Sequence, residues 1–171
     1  RVFVPTDYED FNRSFEYSVN ESTSPASIRY PKTGEYKIDC NHDIFMPRLI
    51  ADNGSQFAII TCGTIQAKSD EAYKHLTELG YKGKNINICQ IKPMPTAEII
   101  DLIKDCKAVF TVEEGIINGG FGSCLRDELI LNHCYVPVHN FGIRNPIVHC
   151  GNISEQFVDT GLDSDSLVSS F

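Results

Sequence analysis

Two clusters in this 171-residue chain carry residue types and spacings that could do chemistry. In the first, Arg29 and Lys32 flank Tyr30-Pro31 at the end of a short apolar segment. Two cations three residues apart beside a rigid proline suit a phosphate or carboxylate, the guanidinium as a planar fork and the ammonium as a point charge. The same residues also read as an exposed surface pair. In the second cluster, a strand-like run from Ala108 to Val112 stops at Glu113 and Glu114, crosses Gly119, Gly120 and Gly122, and opens a helix at Ser123. Backbone N–H groups at a helix start favour an anion, which makes Gly-Gly-Phe-Gly an anion cradle. The competing reading is a tight strand-to-helix connection, in which glycine admits positive φ and close packing. The second reading is favoured: no G-x-G-x-x-G or Gly-Lys-Ser/Thr is present, and two carboxylates would repel a phosphate from the strand side. Adjacent strand residues point to opposite sides, so Glu113 and Glu114 are not expected to work as an acid–base pair. One of them is expected to anchor the loop.

Other reactive side chains are scattered. Seven cysteines, at 40, 62, 89, 106, 124, 134 and 150, form no C-x-x-C pair and no metal spacing, which predicts reduced, mostly buried thiols and a cytoplasmic setting. Cys134 follows His133 and Cys150 follows His149, yet sequence neighbours point apart, so no Cys–His nucleophile is expected. His42, His75, His133, His139 and His149 lack ligand spacing, and no metal site is predicted. A formal charge of −8 without clustered Lys and Arg argues against a duplex nucleic-acid partner. No apolar run long enough for a membrane span and no signal-peptide pattern is seen. A start at Arg1, inside an apparent strand-and-helix pattern, suggests a piece of a longer chain.

The elements that must position these residues follow from periodicity. Thr6 or Asp7 caps a helix on which Tyr8, Phe11, Phe15 and Val19 recur at helical spacing, and a short strand from Pro25 to Tyr30 ends at Pro31. One helix and one strand cannot close a core, so residues 1–32 are expected to belong to a domain completed by other elements. Residues 33–54 read as a linker with a short hairpin edge strand. From 55 onward strands and helices alternate. Strands are predicted at Phe57 to Cys62, Ile86 to Ile91, Ala108 to Val112 and Tyr135 to Phe141; helices at Thr64 to Leu79, Thr96 to Cys106 with Thr96 as cap, and 122 to about 132. Two further helical pieces fill 154 to 171, the second introduced by Gly161-Leu162-Asp163. The expected fold is α/β: three layers, a mostly parallel sheet with helices on both faces, plus a remnant of a preceding α/β domain.

The order P-x-D, I-R-Y-P-K-x-G, F-A-I-I-T-C-G-T, I-K-P-M-P, F-T-V-E-E-G-I-I-N-G-G-F-G-S and G-L-D resembles the carboxyl-terminal part of transketolase-like thiamine diphosphate enzymes, and most of all 1-deoxy-D-xylulose 5-phosphate synthases. The resemblance implies that residues 1–32 end a pyrimidine-binding domain, that 33–54 link, and that 55–171 form the transketolase-like C-terminal domain. It implies a transferase joining pyruvate to glyceraldehyde 3-phosphate, in the route to isoprenoid precursors, with thiamine diphosphate and Mg2+ held elsewhere and neither bound by this part alone. By the same resemblance the second basic residue of the family's R-Y-P-R segment grips the substrate phosphate. Here that residue is Lys32, which keeps the charge and loses the fork. Other implied features are a homodimer, a phosphorylated sugar as substrate, the remaining domains of the same enzyme as partners, no activity alone, and the loop from Glu113 to Gly122 near the subunit interface. Transketolases and two-oxoacid dehydrogenase beta subunits share the last domain, and an anion-binding regulatory or dimerisation module is a further alternative.

Overall fold

The computed structural model describes residues 1–32, 34, 36–38, 43–145 and 147–171. In chain order the elements are β1 (Val2–Phe3), α1 (Tyr8–Asn20), β2 (Ser27–Ile28), β3 (Arg48–Asp52), β4 (Phe57–Thr61), α2 (Gln66–Glu78), β5 (Gly83–Asn87), β6 (Gln90–Lys92), α3 (Thr96–Ile103), β7 (Val109–Ile116), α4 (Phe121–Leu131), β8 (Val138–Ile143), α5 (Ile153–Thr160) and α6 (Ser164–Ser169). Cys40 and His42 lie outside the described residues. No helix among those described is long and apolar enough to cross a membrane.

Five strands form the main sheet in the order β3-β5-β4-β7-β8, parallel except for the edge strand β3, which runs antiparallel to β5. The central strand β4 explains the three layers. Phe57 and Ile59 face one side with Phe110 and Val112, where Ala72 and Leu76 of α2 and Leu167 of α6 cover them. Ala58 and Ile60 face the other, against Ile99 and Ile103 of α3 and Leu125 and Leu129 of α4. A strand buried on both faces must be largely apolar; all five residues of β4 are buried, and its polar side chain, Thr61, is hydrogen-bonded to Gln66.

Several boundaries differ from the sequence reading. The run from Ile86 to Ile91 is two strands: β5 ends at Asn87, and β6 joins a separate three-stranded sheet in the order β2-β1-β6. Ile88 and Cys89 between them are both buried, so apolar character continues through the change of sheet and hides it. β7 continues through Glu113 and Glu114 to Ile116, and β8 begins at Val138 rather than Tyr135. α3 stops at Ile103, and Pro95 occupies its cap position without a side-chain cap bond, leaving Thr96 in the first turn. Arg48–Asp52, within the stretch read as linker, is the edge strand, paired to β5 far away in sequence instead of in a local hairpin.

The face that α1 buries is polar. Its apolar stripe does not face a core: Tyr8, Phe15 and Val19 are exposed, whereas Asp10 and Ser14 are fully buried. The cause is polar. Arg48, at the start of β3, donates to the Asp10 carboxylate at 2.8 Å, with the two side chains 4% and 0% exposed. The Thr6 N–H also donates to Asp10, at 3.1 Å. Alongside, Asn87 donates to the Thr6 hydroxyl at 3.0 Å and to Gln66 Oε1 at 3.1 Å, and Gln66 donates to Asp70 at 2.6 Å. The Tyr36 hydroxyl closes the chain onto Asp70 at 2.5 Å, and burial together with that bond pushes its pKa up to about 12. A small apolar cluster of Phe3, Ile44 and Cys89, with Tyr17, Ile28 and Phe45 around it, packs on this side.

Removing one partner of a buried pair strands the other charge in a dry site, so Asp10→Ala or Arg48→Met alone should lower unfolding free energy by about 3–5 kcal/mol. The double variant Asp10→Leu with Arg48→Met should recover most of that loss. Urea denaturation followed by far-ultraviolet circular dichroism reads both effects, and two additive losses would show that the pair is not coupled.

Candidate functional site

The chain leaves β4 through α2 to β5 on one side, then crosses to β7 on the other side of β4. Open α/β sheets bind ligands outside the carboxyl ends of strands at such a switch point. Residues of the same chain roof this one. The Val4 N–H donates to the Cys89 carbonyl at 2.8 Å, and Gly63, at φ +79°, stands where a Cβ would come within 2.9 Å of Val4 Cγ1. The Arg29 N–H donates to the Phe3 carbonyl at 2.8 Å, which fixes the backbone where Arg29 projects.

The Arg29 guanidinium reaches β7. Its Nη2 donates to the Glu114 carbonyl at 3.2 Å and lies 3.9 Å from Glu114 Oε2, while Glu114 Oε1 accepts the Thr64 hydroxyl at 3.1 Å. Arg29, Lys32, Thr64 and Glu114 line a cavity of about 140 Å³. They also line one of about 440 Å³ whose apolar wall includes Ile143, Ile153, Phe157 and Leu162. Sequence spacing pairs Arg29 with Lys32, and the fold adds Glu114 and Thr64 to them. Thr64 has no sequence signal beyond its place just after a buried strand.

Glu113 points the other way along the pleat. Its Oε2 accepts the Phe121 N–H at 2.8 Å and its Oε1 the Gly122 N–H at 2.9 Å, so a carboxylate of the chain itself takes two N–H groups at the start of α4. The N–H cradle considered for an external anion is thus filled from within at those positions. Burial raises the Glu113 pKa, opposed by the two backbone hydrogen bonds and by the charge of Arg29. The loop is close-packed: a Cβ on Gly120 would lie 2.3 Å from the Ile116 carbonyl oxygen, and one on Gly122 2.1 Å from Thr111 Oγ1. Gly119 turns the chain at φ +79°.

The remaining reactive groups do not join this site as nucleophiles or ligands. Burial pushes up the thiols of Cys62, of Cys89 to about 12 and of Cys106 to about 11. His75 is exposed, His139 stacks on Phe110 with centroids 5.2 Å apart, His133 Nδ1 sits 3.1 Å from the Tyr135 hydroxyl, and His149 lies 3.6 Å from Asp159. Among the described residues, no group of three or more His, Cys, Asp or Glu could hold a metal ion.

Comparison with known proteins gives the same fold and a family. The family model for the transketolase C-terminal domain matches residues 48–167. The 1-deoxy-D-xylulose-5-phosphate synthase of Gloeothece citriformis is 28% identical over 171 residues, covering 97% of this chain and 27% of that protein. The synthase of Trichormus variabilis is 29% identical over 168 residues, covering 95% of this chain and 26% of its own length. The chain thus spans about 27% of the length of the curated relatives it matches. Among solved structures, a split-gene transketolase described as an inactive β4 tetramer superposes with a TM-score of 0.82 at 24% identity, covering 99% of this chain and 55% of that one.

Glu113→Ala should lower stability by about 1–3 kcal/mol, because two buried N–H groups lose their acceptor. Glu113→Gln isolates the titration. A raised folded pKa means that the folded state holds the proton longer, so this group's stabilising contribution is largest below its unfolded pKa and is lost as pH rises through the folded one. The stability of the parent chain relative to Glu113→Gln should therefore fall over that window in urea titrations at stepped pH. A flat difference would mean no raised pKa. Native thiol labelling should reach exposed Cys150 first and leave Cys62 and Cys89 unmodified until denaturant is added.

Proposed function

The chain belongs to the transketolase C-terminal-domain family, and from that premise we propose that it is the scaffold-bearing, phosphate-gripping part of a thiamine-diphosphate-dependent transferase of the 1-deoxy-D-xylulose 5-phosphate synthase kind. In this reading residues 1–32 end a pyrimidine-binding domain. Residues 33–54 connect, with β3 already laid on the main sheet, and 55–171 complete the C-terminal domain. The remaining domains of the enzyme, a second copy in a homodimer and a phosphorylated sugar are its partners, in the cytoplasm. One observation carries the proposal. Arg29 and Lys32 line the same small cavity at the switch point, in a chain that matches synthases over nearly its whole length.

Thiamine diphosphate and Mg2+ do not fit the residues present. Glu113 is committed to the start of α4 and Glu114 to Thr64 and Arg29, and the described residues offer no metal-binding cluster. The cofactor belongs to the remaining domains, and no step is assigned to residues here through it. What this chain supplies is position: the ends of β4 and β7 hold Arg29 in place beside Lys32, and the charged pair orients a substrate phosphate. The exposed apolar stripe of α1, with Tyr8, Phe15 and Val19 open and the Tyr30 ring beside that of Phe11 with centroids 5.2 Å apart, supports a covering polypeptide on that face.

Joining residues 1–171 to the amino-terminal part of the Gloeothece citriformis synthase should yield an enzyme that turns over pyruvate and glyceraldehyde 3-phosphate. Lys32→Ala in that enzyme should raise KM for the phosphorylated substrate at least about tenfold with a smaller change in kcat, because the lost contact is uniform binding. An unchanged KM would remove Lys32 from the site. Turnover by the 171-residue chain alone would overturn the scaffold reading.

A further inference from the structure

We infer that Glu114 is the specificity-determining residue of the Arg29–Lys32 grip, a charge filter that restricts it to a single phosphate group and excludes diphosphates. The inference rests on the proposed phosphate-binding role of Arg29 and Lys32 and goes beyond it. Three charged side chains line the 140 Å³ cavity: two cations and one carboxylate, a formal sum of one positive charge. A phosphate monoester carries about −1.5 to −2 at pH 7, close to what two cations neutralise, whereas each further phosphate adds charge that Glu114 opposes.

The carboxylate is held for this role from outside the cation pair. Thr64, at the entry to α2, donates to Glu114 Oε1 at 3.1 Å. Arg29 is held by the Glu114 main-chain carbonyl at 3.2 Å, closer than the 3.9 Å to the carboxylate. Changing the Glu114 side chain therefore removes charge without releasing the guanidinium. Glu113 does not share this role, since its oxygens face the start of α4. A merely structural ion pair would behave in the opposite way: breaking it would loosen Arg29 and weaken every anion.

Titration of the ¹⁵N-labelled 171-residue chain with inorganic phosphate and with pyrophosphate, followed by amide shifts at low salt, tests the inference. The parent chain should prefer phosphate. Glu114→Gln should tighten phosphate by about 3- to 10-fold, the size of one like charge removed at a few ångströms in a wet site. It should tighten pyrophosphate more, so that the preference disappears. Thr64→Val should shift both in the same direction by less, and Glu114→Asp should keep the parent's preference. Phosphate binding that is unchanged or weakened by Glu114→Gln, with its thermal melt intact, would overturn the filter while leaving the phosphate grip standing. Absence of saturable phosphate binding in the parent, or equal binding in Lys32→Ala, would overturn the grip itself and the filter with it.

Discussion

The buried ion pair between Asp10 and Arg48 fixes α1 against the edge strand of the main sheet. Val4 and Ile91 carry the small sheet into the main core, but α1 buries Asp10 and Ser14 instead of its apolar stripe, so polar contacts set where that helix lies. Hydrogen bonds are directional, and a charge stranded in a dry site is strongly disfavoured. The chain from Asp10 and Thr6 through Asn87 and Gln66 to Asp70 and Tyr36 therefore accepts one arrangement. A buried pair adds little to net stability compared with well-packed apolar groups. What it supplies here is register. With α1 fixed by Arg48 and β1 fixed by β2 and β6, the backbone after β2 must cross the ends of β4 and β7 with Arg29 above Glu114.

Much of the main sheet was legible because two-sided burial writes itself plainly: Phe57 to Ile60 is apolar on both faces, and the helices on either side carry apolar positions at helical spacing. Legibility failed where burial and hydrogen bonding parted company. Ile88 and Cys89 stay buried while the strand changes sheets, so periodicity saw one element instead of two. The buried polar face of α1 is the deeper case. An apolar stripe such as Tyr8, Phe15 and Val19 states that a face can be covered, and nothing in the sequence states by what. Asp10 is buried because Arg48 lies 38 positions away in sequence and beside it in space, a long-range pairing that a local window does not contain.

The site divides in the same manner. Arg29 and Lys32 were readable as a pair because a rigid proline and a short spacing bring two cations together. The opposed directions of Glu113 and Glu114 were readable from the pleat of a strand. Their partners were not. Thr64 lies 50 residues from Glu114, and the Phe121 and Gly122 N–H groups become acceptor-seeking only because α4 begins at that point. The glycines explain the choice: Gly120 and Gly122 admit the backbone so close to Glu113, Thr111 and Asn140 that the helix start meets a carboxylate instead of solvent.

The same geometry bears on why position 32 tolerates an ammonium. A guanidinium is most useful where its planar fork is filled on more than one side. Arg29 is in that situation, with one nitrogen on the Glu114 carbonyl and the Glu114 carboxylate close by. The ammonium of Lys32 is a compact charge on a flexible stem, and it can meet an anion in the cavity without claiming the carboxylate geometry. In the proposed reading Arg29 is the fixed wall of the grip and Lys32 its adjustable charge, a division of labour set by where β7 ends and α2 begins.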